Sequence, residues 1–384
     1  MDTVTDLIRP YRLAFPESEL EDLRDRLART RWPAELPDVG WSRGVPASYL
    51  RQLAEYWRTG FDWRAQEAAL NAFPQFTTTV DGERIHFLHV RSPEPDALPL
   101  IVTHGWPGSV IELTKVIEPL TNPAANGGDA ADAFHLVVPS LPGFGLSGPT
   151  RATGWDTDRI ANAWVELMRR LGYRRYGAQG GDTGAIVSPK VGRFDAGRVV
   201  GVHANGLTAF PSGDAADLSQ LSSGEQARLA RLQQRTQDGI GYAMIQSTRP
   251  QTLAYGLADS PVGQLAWIVE KFQAWTDPDA ELPEQAVDLD QMLANVTLYW
   301  LTNTGGSSAQ IYYEGRSAWG ASDAPSGVPT GVAVFPDDFS IRSLVEREHT
   351  VVHWSEFDRG GHFAAMETPD LLVADIREFF RGLR

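Results

Sequence analysis

The sequence predicts an α/β protein with a mostly parallel, doubly wound sheet, a helical cap inserted late in the chain and a helical extension at the N-terminus. Three observations carry this. Short apolar runs such as LPLIVT (98–103) and FHLVVP (134–139) alternate with amphipathic stretches, as buried parallel strands alternate with crossover helices. The strand signal stops from about Leu207 to Gly315, where helical spacing is broken by Pro, Gly and Trp, and then returns. Residues 1 to about 75 read as short helices punctuated by Pro and Trp, before any strand signal.

In chain order, helical apolar spacing runs from Ser18 to Arg29 and again from Ala47 to Phe61. Alternation starts at Phe76: FTTTV, the turn Asp81-Gly82, then RIHFLHV, a hairpin pattern. After the runs at 98–103 and 134–139 come a helix from about Asp156 to Leu171, a strand through Tyr176 to Gln179, a helix after Gly184 and a strand at Val199 to Asn205. Strands return at Gly331 to Phe335 and Thr350 to Trp354, followed by a last amphipathic helix from Pro369 to about Phe380. The expected organisation is an extension at 1–75, a first core part at 76–206, the cap at 207–315 and a second core part at 316–384.

Composition narrows the function. With 384 residues and 42% hydrophobic content, the chain can bury a large core. A formal net charge of −15 without a basic run argues against nucleic acid. Zero Cys rules out disulfides, thiolate metal sites and thiol catalysis, and suits the cytoplasm. The start, MDTVTDLIRPYRLAF, has Asp2, Asp6, Arg9 and Pro10 where a signal peptide needs apolar residues, and no run approaches a spanning helix, so no membrane anchor is expected.

The sharpest motif is Gly180-Gly181-Asp182-Thr183-Gly184, between a predicted strand and a predicted helix. Small residues flanking the central one permit the strained turn of a nucleophile elbow, and here the lifted side chain is a carboxylate. A carboxylate attacks without prior deprotonation, which suits alkylation at the carbon of an epoxide or alkyl halide. Taken alone, the same residues also fit a Gly-rich turn with Asp182 as helix N-cap. HGWPGS (104–109) follows the strand LPLIVT, and the N–H groups of Trp106 and Thr183 are the expected oxyanion donors. Pro107 has no N–H to offer. His362, in Gly360-Gly361-His362-Phe363, lies in a late loop before the last helix, where a base is expected. Of the other histidines, His86, His89, His135, His349 and His353 fall in or beside strand patterns, His104 belongs to the oxyanion loop, and His203 takes a hydrogen-bonded packing role. Either Asp337 or Asp338, after the strand GVAVF, could orient the imidazole.

In combination, HGWPGS, GGDTG, FPDD and GGHFAAMETP, with SPVGQLAWIVEKFQAW in the cap, resemble the microsomal-type epoxide hydrolases, a family of the α/β-hydrolase fold, over nearly the whole chain. The resemblance implies that an epoxide is opened to a vicinal diol through an ester on Asp182, hydrolysed by a water that His362 and Asp338 activate. It selects Asp338, at the fourth position of F-P-x-D/E, and implies two tyrosine donors to the epoxide oxygen, Tyr242 in GYAMIQ and Tyr312 in SSAQIYYEG, with Tyr313 as competitor. Tyr255 and Tyr299 are assigned to packing. No metal or organic cofactor is implied. The partner is a small-molecule epoxide, bulky and largely apolar if the twelve Trp residues line its site, and a homodimer is compatible with the sequence. The family spans detoxification and secondary metabolism. The alternatives are a haloalkane dehalogenase-like hydrolase, whose halide needs indole or amide donors, and a non-catalytic binding protein on the same scaffold.

Overall fold

A computed structural model describes residues 7–210, 221–316 and 324–384. Residues 1–6, which open the stretch read for a targeting signal, and 211–220 and 317–323, within the expected cap and second core part, lie outside the described residues.

The described strands form one nine-stranded sheet: β1 (Arg9–Tyr11), β2 (Gln75–Val80), β3 (Glu83–Val90), β4 (Leu98–Thr103), β5 (Phe134–Pro139), β6 (Tyr176–Gly181), β7 (Val199–Asn205), β8 (Pro329–Val334) and β9 (Thr350–Glu356). Their order is β1-β2-β3-β5-β4-β6-β7-β8-β9. Pairing is antiparallel from β1 through β5 and parallel from β5 through β9. The fold class is the α/β-hydrolase type read from the sequence.

Alternation explains why the central strands are apolar throughout. In β4, Ile101 packs into one core cluster while Leu100 and Val102 pack into another; in β5, Val137 and its neighbours Leu136 and Val138 divide the same way. Both faces are therefore buried, as crossover helices require. The helix α5 (Thr157–Arg170) sends Ile160, Trp164 and Leu167 into the first cluster, and the C-terminal helix α15 (Pro369–Arg381) sends Leu372, Ile376 and Phe380 into the second. Between them in sequence lies α6 (Thr183–Phe194), which starts directly at the elbow.

The N-terminal region departs from its all-helical reading. The helices α1 (Glu17–Ala28) and α2 (Ala47–Thr59) stand where helical spacing places them, but α3 (Trp63–Leu70) and the three-residue β1 were missed. The sheet therefore starts at Arg9 rather than Phe76, because β1 pairs Pro10 with Phe76. Three residues are too few to show a period, and Pro10 masks an edge strand that needs few ladder donors. The crossover-sized segment α4 (Thr114–Thr121), which carries Pro119, also lacks a clean sequence signal.

Between β7 and β8 the described chain is helical: α7 (Ser223–Asp238), α8 (Gly241–Thr248), α9 (Pro250–Asp259), α10 (Pro261–Trp275), α11 (Leu289–Leu301) and α12 (Gly305–Gly315). The N-terminal extension packs partly on these helices, as when Trp57 Nε1 donates to Thr297 Oγ1 at 2.8 Å. Two short helices, α13 (Arg342–Glu348) and α14 (Ala364–Glu367), flank β9 and lead back to α15.

Candidate active site

Parallel register brings the ends of β4, β6, β7 and β8 to one edge of the sheet. Thr103 pairs with Gly180, Gly181 with Asn205, and Asn205 with Ala333. The loops that follow these residues are HGWPGS, the Asp182 turn, Gly206 and Phe335-Asp338. In open α/β sheets this carboxyl edge is where sites form.

Asp182 sits at φ 53° and ψ −119°, a conformation a non-glycine residue holds only when its surroundings impose it. Those surroundings have no spare volume. A Cβ on Gly184 would lie 2.0 Å from the Thr103 carbonyl oxygen, and one on Gly180 would lie 2.4 Å from the Gly184 backbone. The G-x-D-x-G spacing is thus a packing requirement of the turn.

The two candidate oxyanion N–H groups converge on the same oxygen. Trp106 N donates to Asp182 Oδ1 at 2.9 Å and Thr183 N at 2.6 Å, with Thr183 Oγ1 at 3.0 Å. The other oxygen, Oδ2, lies 3.4 Å from His362 Nε2. Burial pushes the Asp182 carboxyl up, but the His362 imidazole and the Trp106 and Thr183 N–H groups outweigh it and hold the group below its ordinary value. The carboxylate is therefore ionised, with one oxygen committed and one available.

The Trp106 N–H is aimed by groups the sequence reading did not single out. Burial pushes the His104 imidazole down to about 4, so it is neutral near pH 7. Its Nε2 accepts from Leu141 N at 3.2 Å, leaving Nδ1–H to donate to the Gly105 carbonyl at 3.0 Å. That carbonyl and the Trp106 N–H belong to one peptide, so fixing the first directs the second. From α11, Asn295 Nδ2 donates to the Pro107 carbonyl at 2.7 Å and Tyr299 OH to the Gly108 carbonyl at 2.7 Å. Tyr299, assigned to packing, is indeed buried but also holds this loop, whereas Tyr255 is 71% exposed and packs no core. Glu112, at the start of the turn after HGWPGS, has its carboxyl pushed up to about 8 by burial and by Asp182 and Glu367.

The His362 loop, the candidate base loop, is tied to the end of α10. His362 N donates to the Trp275 carbonyl at 2.8 Å, and Gly360 N to Asp277 Oδ2 at 2.7 Å. Glu367 accepts from Phe363 N at 2.9 Å and from Asp277 N at 2.7 Å. No sequence signal distinguishes Asp277 from an ordinary loop acid, and Glu367 lies inside GGHFAAMETP without any role that the motif itself assigns.

The two candidate acids differ sharply. Asp338 is enclosed: Oδ2 accepts from Gly206 N at 2.9 Å, and Oδ1 from Ser340 N at 2.9 Å and Ser340 Oγ at 2.8 Å. Burial raises its carboxyl, with Ser340, Gly206 and His362 acting in the opposite sense. Asp337 instead pairs with Arg235 at 2.5 Å.

Aromatic rings close the site. Trp106 stacks on Tyr242 with centroids 5.2 Å apart and meets Tyr312 edge-on at 5.8 Å. Tyr242 and Tyr312 lie 5.7 Å apart, and Trp275 packs against both Tyr242 and His362. Both phenols are raised, first by burial, and Asp182 raises both further. Tyr313, the competitor, is 37% exposed with the Arg316 guanidinium over its ring. The seven residues singled out in the sequence thus gather around this edge, Tyr242 and Tyr312 reaching Trp106 from the helices between β7 and β8, and Asp338 acts on His362 through charge rather than a direct hydrogen bond.

Comparisons with known proteins agree with this geometry. The family description "Epoxide hydrolase N terminus" matches residues 8–113. The chain is 49% identical over 380 residues to a Stigmatella aurantiaca protein provisionally named an epoxide hydrolase, covering 98% of this chain and 86% of that one. It is 34% identical to Epoxide hydrolase 1 of Sus scrofa, covering 97% and 88%. Among solved structures, the Aspergillus niger epoxide hydrolase superposes with a TM-score of 0.86 at 32% identity, covering 98% of this chain and 97% of that one. The juvenile hormone epoxide hydrolase of the silkworm Bombyx mori gives 0.89 at 30% identity, covering 98% and 95%.

Proposed function

This chain belongs to the epoxide hydrolases, and from that premise we propose that it opens its substrate in two half-reactions through an ester on Asp182. The observation that carries this is the division of labour on the Asp182 carboxylate, with Oδ1 held by two backbone N–H groups and Oδ2 facing His362.

In the first half-reaction Oδ2 attacks an epoxide carbon in line with the breaking C–O bond. Tyr242 and Tyr312 hydrogen-bond the departing oxygen, and one phenol proton passes to it. A poor alkoxide leaving group thus departs as a hydroxyl. In the second, His362 Nε2 takes a proton from water while the water oxygen attacks the ester carbonyl carbon. Negative charge then develops on Oδ1, which already sits against the Trp106 and Thr183 N–H groups, so little reorganisation is needed. Collapse expels the diol oxygen, which takes the proton from His362, and the new Asp182 carboxyl returns its proton to the tyrosinate. The net change is addition of one water. Asp338 favours the imidazolium electrostatically, as its enclosed carboxylate supports.

No helix among the described residues is long and apolar enough to cross a membrane. The rings of Trp106, Tyr242, Trp275 and Tyr312 favour a bulky, largely apolar epoxide, and the absence of cysteine fits a reducing cytoplasm. Single turnover in H₂¹⁸O with enzyme in excess tests the covalent route. The first diol should carry unlabelled oxygen and the Asp182 peptide should gain ¹⁸O; label in the first diol with none on Asp182 would mean direct attack by water.

A further inference from the structure

Behind Tyr242, on the neighbouring helix α10, lies a lysine that the mechanism above does not use. Lys271 is 4% exposed, and its Nζ stands 4.2 Å from the Tyr242 ring centroid and 5.4 Å from that of Trp275. Lysines are rarely this buried unless their charge is compensated. Its partner is Glu270 at 2.5 Å, whose side chain is 34% exposed. The carboxylate is therefore screened by solvent, while the ammonium faces the aromatic wall, where its field is screened least.

We propose that Lys271 is a positioning residue that strengthens Tyr242 as a proton donor, its ammonium offsetting the negative charge that grows on the phenol as the epoxide opens. This rests on the reading of Tyr242 as donor. The charged and titratable groups around that phenol fall into two sets. Asp182 and Glu270 oppose loss of its proton, while Arg235 and a hydrogen bond from Tyr312 favour it. Arg235 is engaged by Asp337 at 2.5 Å, so Lys271 is the cation set directly against the donor's ring. Burial and Arg235 lower the lysine's own proton affinity, and Glu270 raises it, so the carboxylate favours the charged form against the surrounding wall. Tyr312 touches the oxygen of Tyr242 and Lys271 touches its ring, so the two act on the same phenol from different sides of its chemistry.

The test is the rate of ester formation, followed by tryptophan fluorescence under single-turnover conditions with an aryl epoxide that the wild type consumes. Lys271→Met should slow this step roughly tenfold, about what a nearby charge lends to a partly transferred proton. Lys271→Arg should restore most of it. In a Tyr242→Phe background Lys271→Met should add no further loss. Glu270→Gln, at a partly exposed position that threatens folding little, should move the alkaline limb of the pH profile of ester formation to lower pH, because without that carboxylate the Lys271 ammonium loses its proton more readily. Should Lys271→Met fail to fold, this variant carries the test alone. Lys271→Met slowing the Tyr242→Phe enzyme as much as the wild type, or an unmoved limb in Glu270→Gln, overturns the role of Lys271. A wild-type rate in Tyr242→Phe itself would instead remove the donor assignment, a separate failure.

Discussion

Among the described residues, two clusters of Asp and His use the same groups in opposite ways. In one, Asp375 on α15 accepts from His203 on β7 at 2.8 Å, from His353 on β9 at 2.7 Å and from Ser355 at 2.5 Å. Its side chain is 2% exposed and that of His203 is fully buried. In the other, Asp182 keeps one oxygen turned to His362 at 3.4 Å, with side chains 22% and 29% exposed. A Ser, a His and an Asp in mutual contact would tempt a reader to see a catalytic triad at Asp375. What it lacks is an unspent lone pair that a substrate can reach. Both carboxylate oxygens there are engaged by internal bonds and shut away from solvent, so the cluster staples two strands to a helix, while the Asp182 carboxylate is held firmly on one side only. Chemistry follows from the oxygen left over, not from the roster of residues.

The sharpest way to break that contrast is His362→Ala. Turnover should fall by about four decades, the loss typical when a triad base is removed. Ester formation should survive, because the carboxylate needs no base to attack. Intact-protein mass spectrometry after rapid acid quench should show one added epoxide mass, mapped to Asp182; a protein that stays unmodified while the wild type consumes the same epoxide would refute the covalent route. His203→Ala in the other cluster should form and hydrolyse its ester normally.

The acids come next in size. Asp338→Asn should depress turnover by roughly three decades, since it removes the carboxylate whose charge favours the His362 imidazolium. Asp337→Asn should lose only the Arg235 pair and stay within a few-fold of wild type. Steady-state rates on one substrate decide this, and reversed losses would transfer the role to Asp337. Smaller again, Tyr242→Phe and Tyr312→Phe should each slow ester formation by about two decades, because the other phenol remains, and Tyr313→Phe by less than twofold. Stopped-flow traces with Tyr313→Phe as the slow variant would put the donor one residue away from Tyr312.

The parts of the site that were legible in the sequence are those where geometry leaves no choice of residue. Gly184 cannot carry a Cβ beside Thr103, nor Gly180 one beside the Gly184 backbone, so the elbow announces itself. Long central strands buried on both faces must be apolar throughout, so most of the sheet was visible. Short or edge elements such as β1 had no period to read. The Leu141–His104 bond, the Tyr299 and Asn295 props under the HGWPG loop and the Asp277–Glu367 bond beside the His362 loop join residues far apart in the chain. Nothing local marks such pairs, since any Asn or Glu can occupy those positions until the fold supplies its partner. Tyr312 and Tyr313 were likewise inseparable by residue type, and only the face each turns from α12 tells them apart.

The smallest expected effect on turnover belongs to the second cluster, and it is where pH should speak. Bonds from His203, Ser355 and His353 outweigh burial and hold the Asp375 carboxyl down at about 2, against an ordinary value of 3.8. A carboxyl depressed in the folded state contributes stability that is fully present above its unfolded value and is lost as pH falls through the folded one. The difference corresponds to roughly 2 kcal/mol for this buried group. Asp375→Asn should therefore turn over epoxide within twofold of wild type at pH 7, because Asp182, His362 and the phenols are untouched. Urea unfolding at pH 6 should nevertheless find it less stable by at least that amount. Repeated at successively lower pH, the gap between the two proteins should narrow from about pH 4 towards pH 2 as the wild-type carboxyl takes up its proton. A gap that stays constant across that range would mean that Asp375 stabilises by packing rather than by charge, and a large loss of turnover at pH 7 would mean that the staple also holds the catalytic edge of β7 in place.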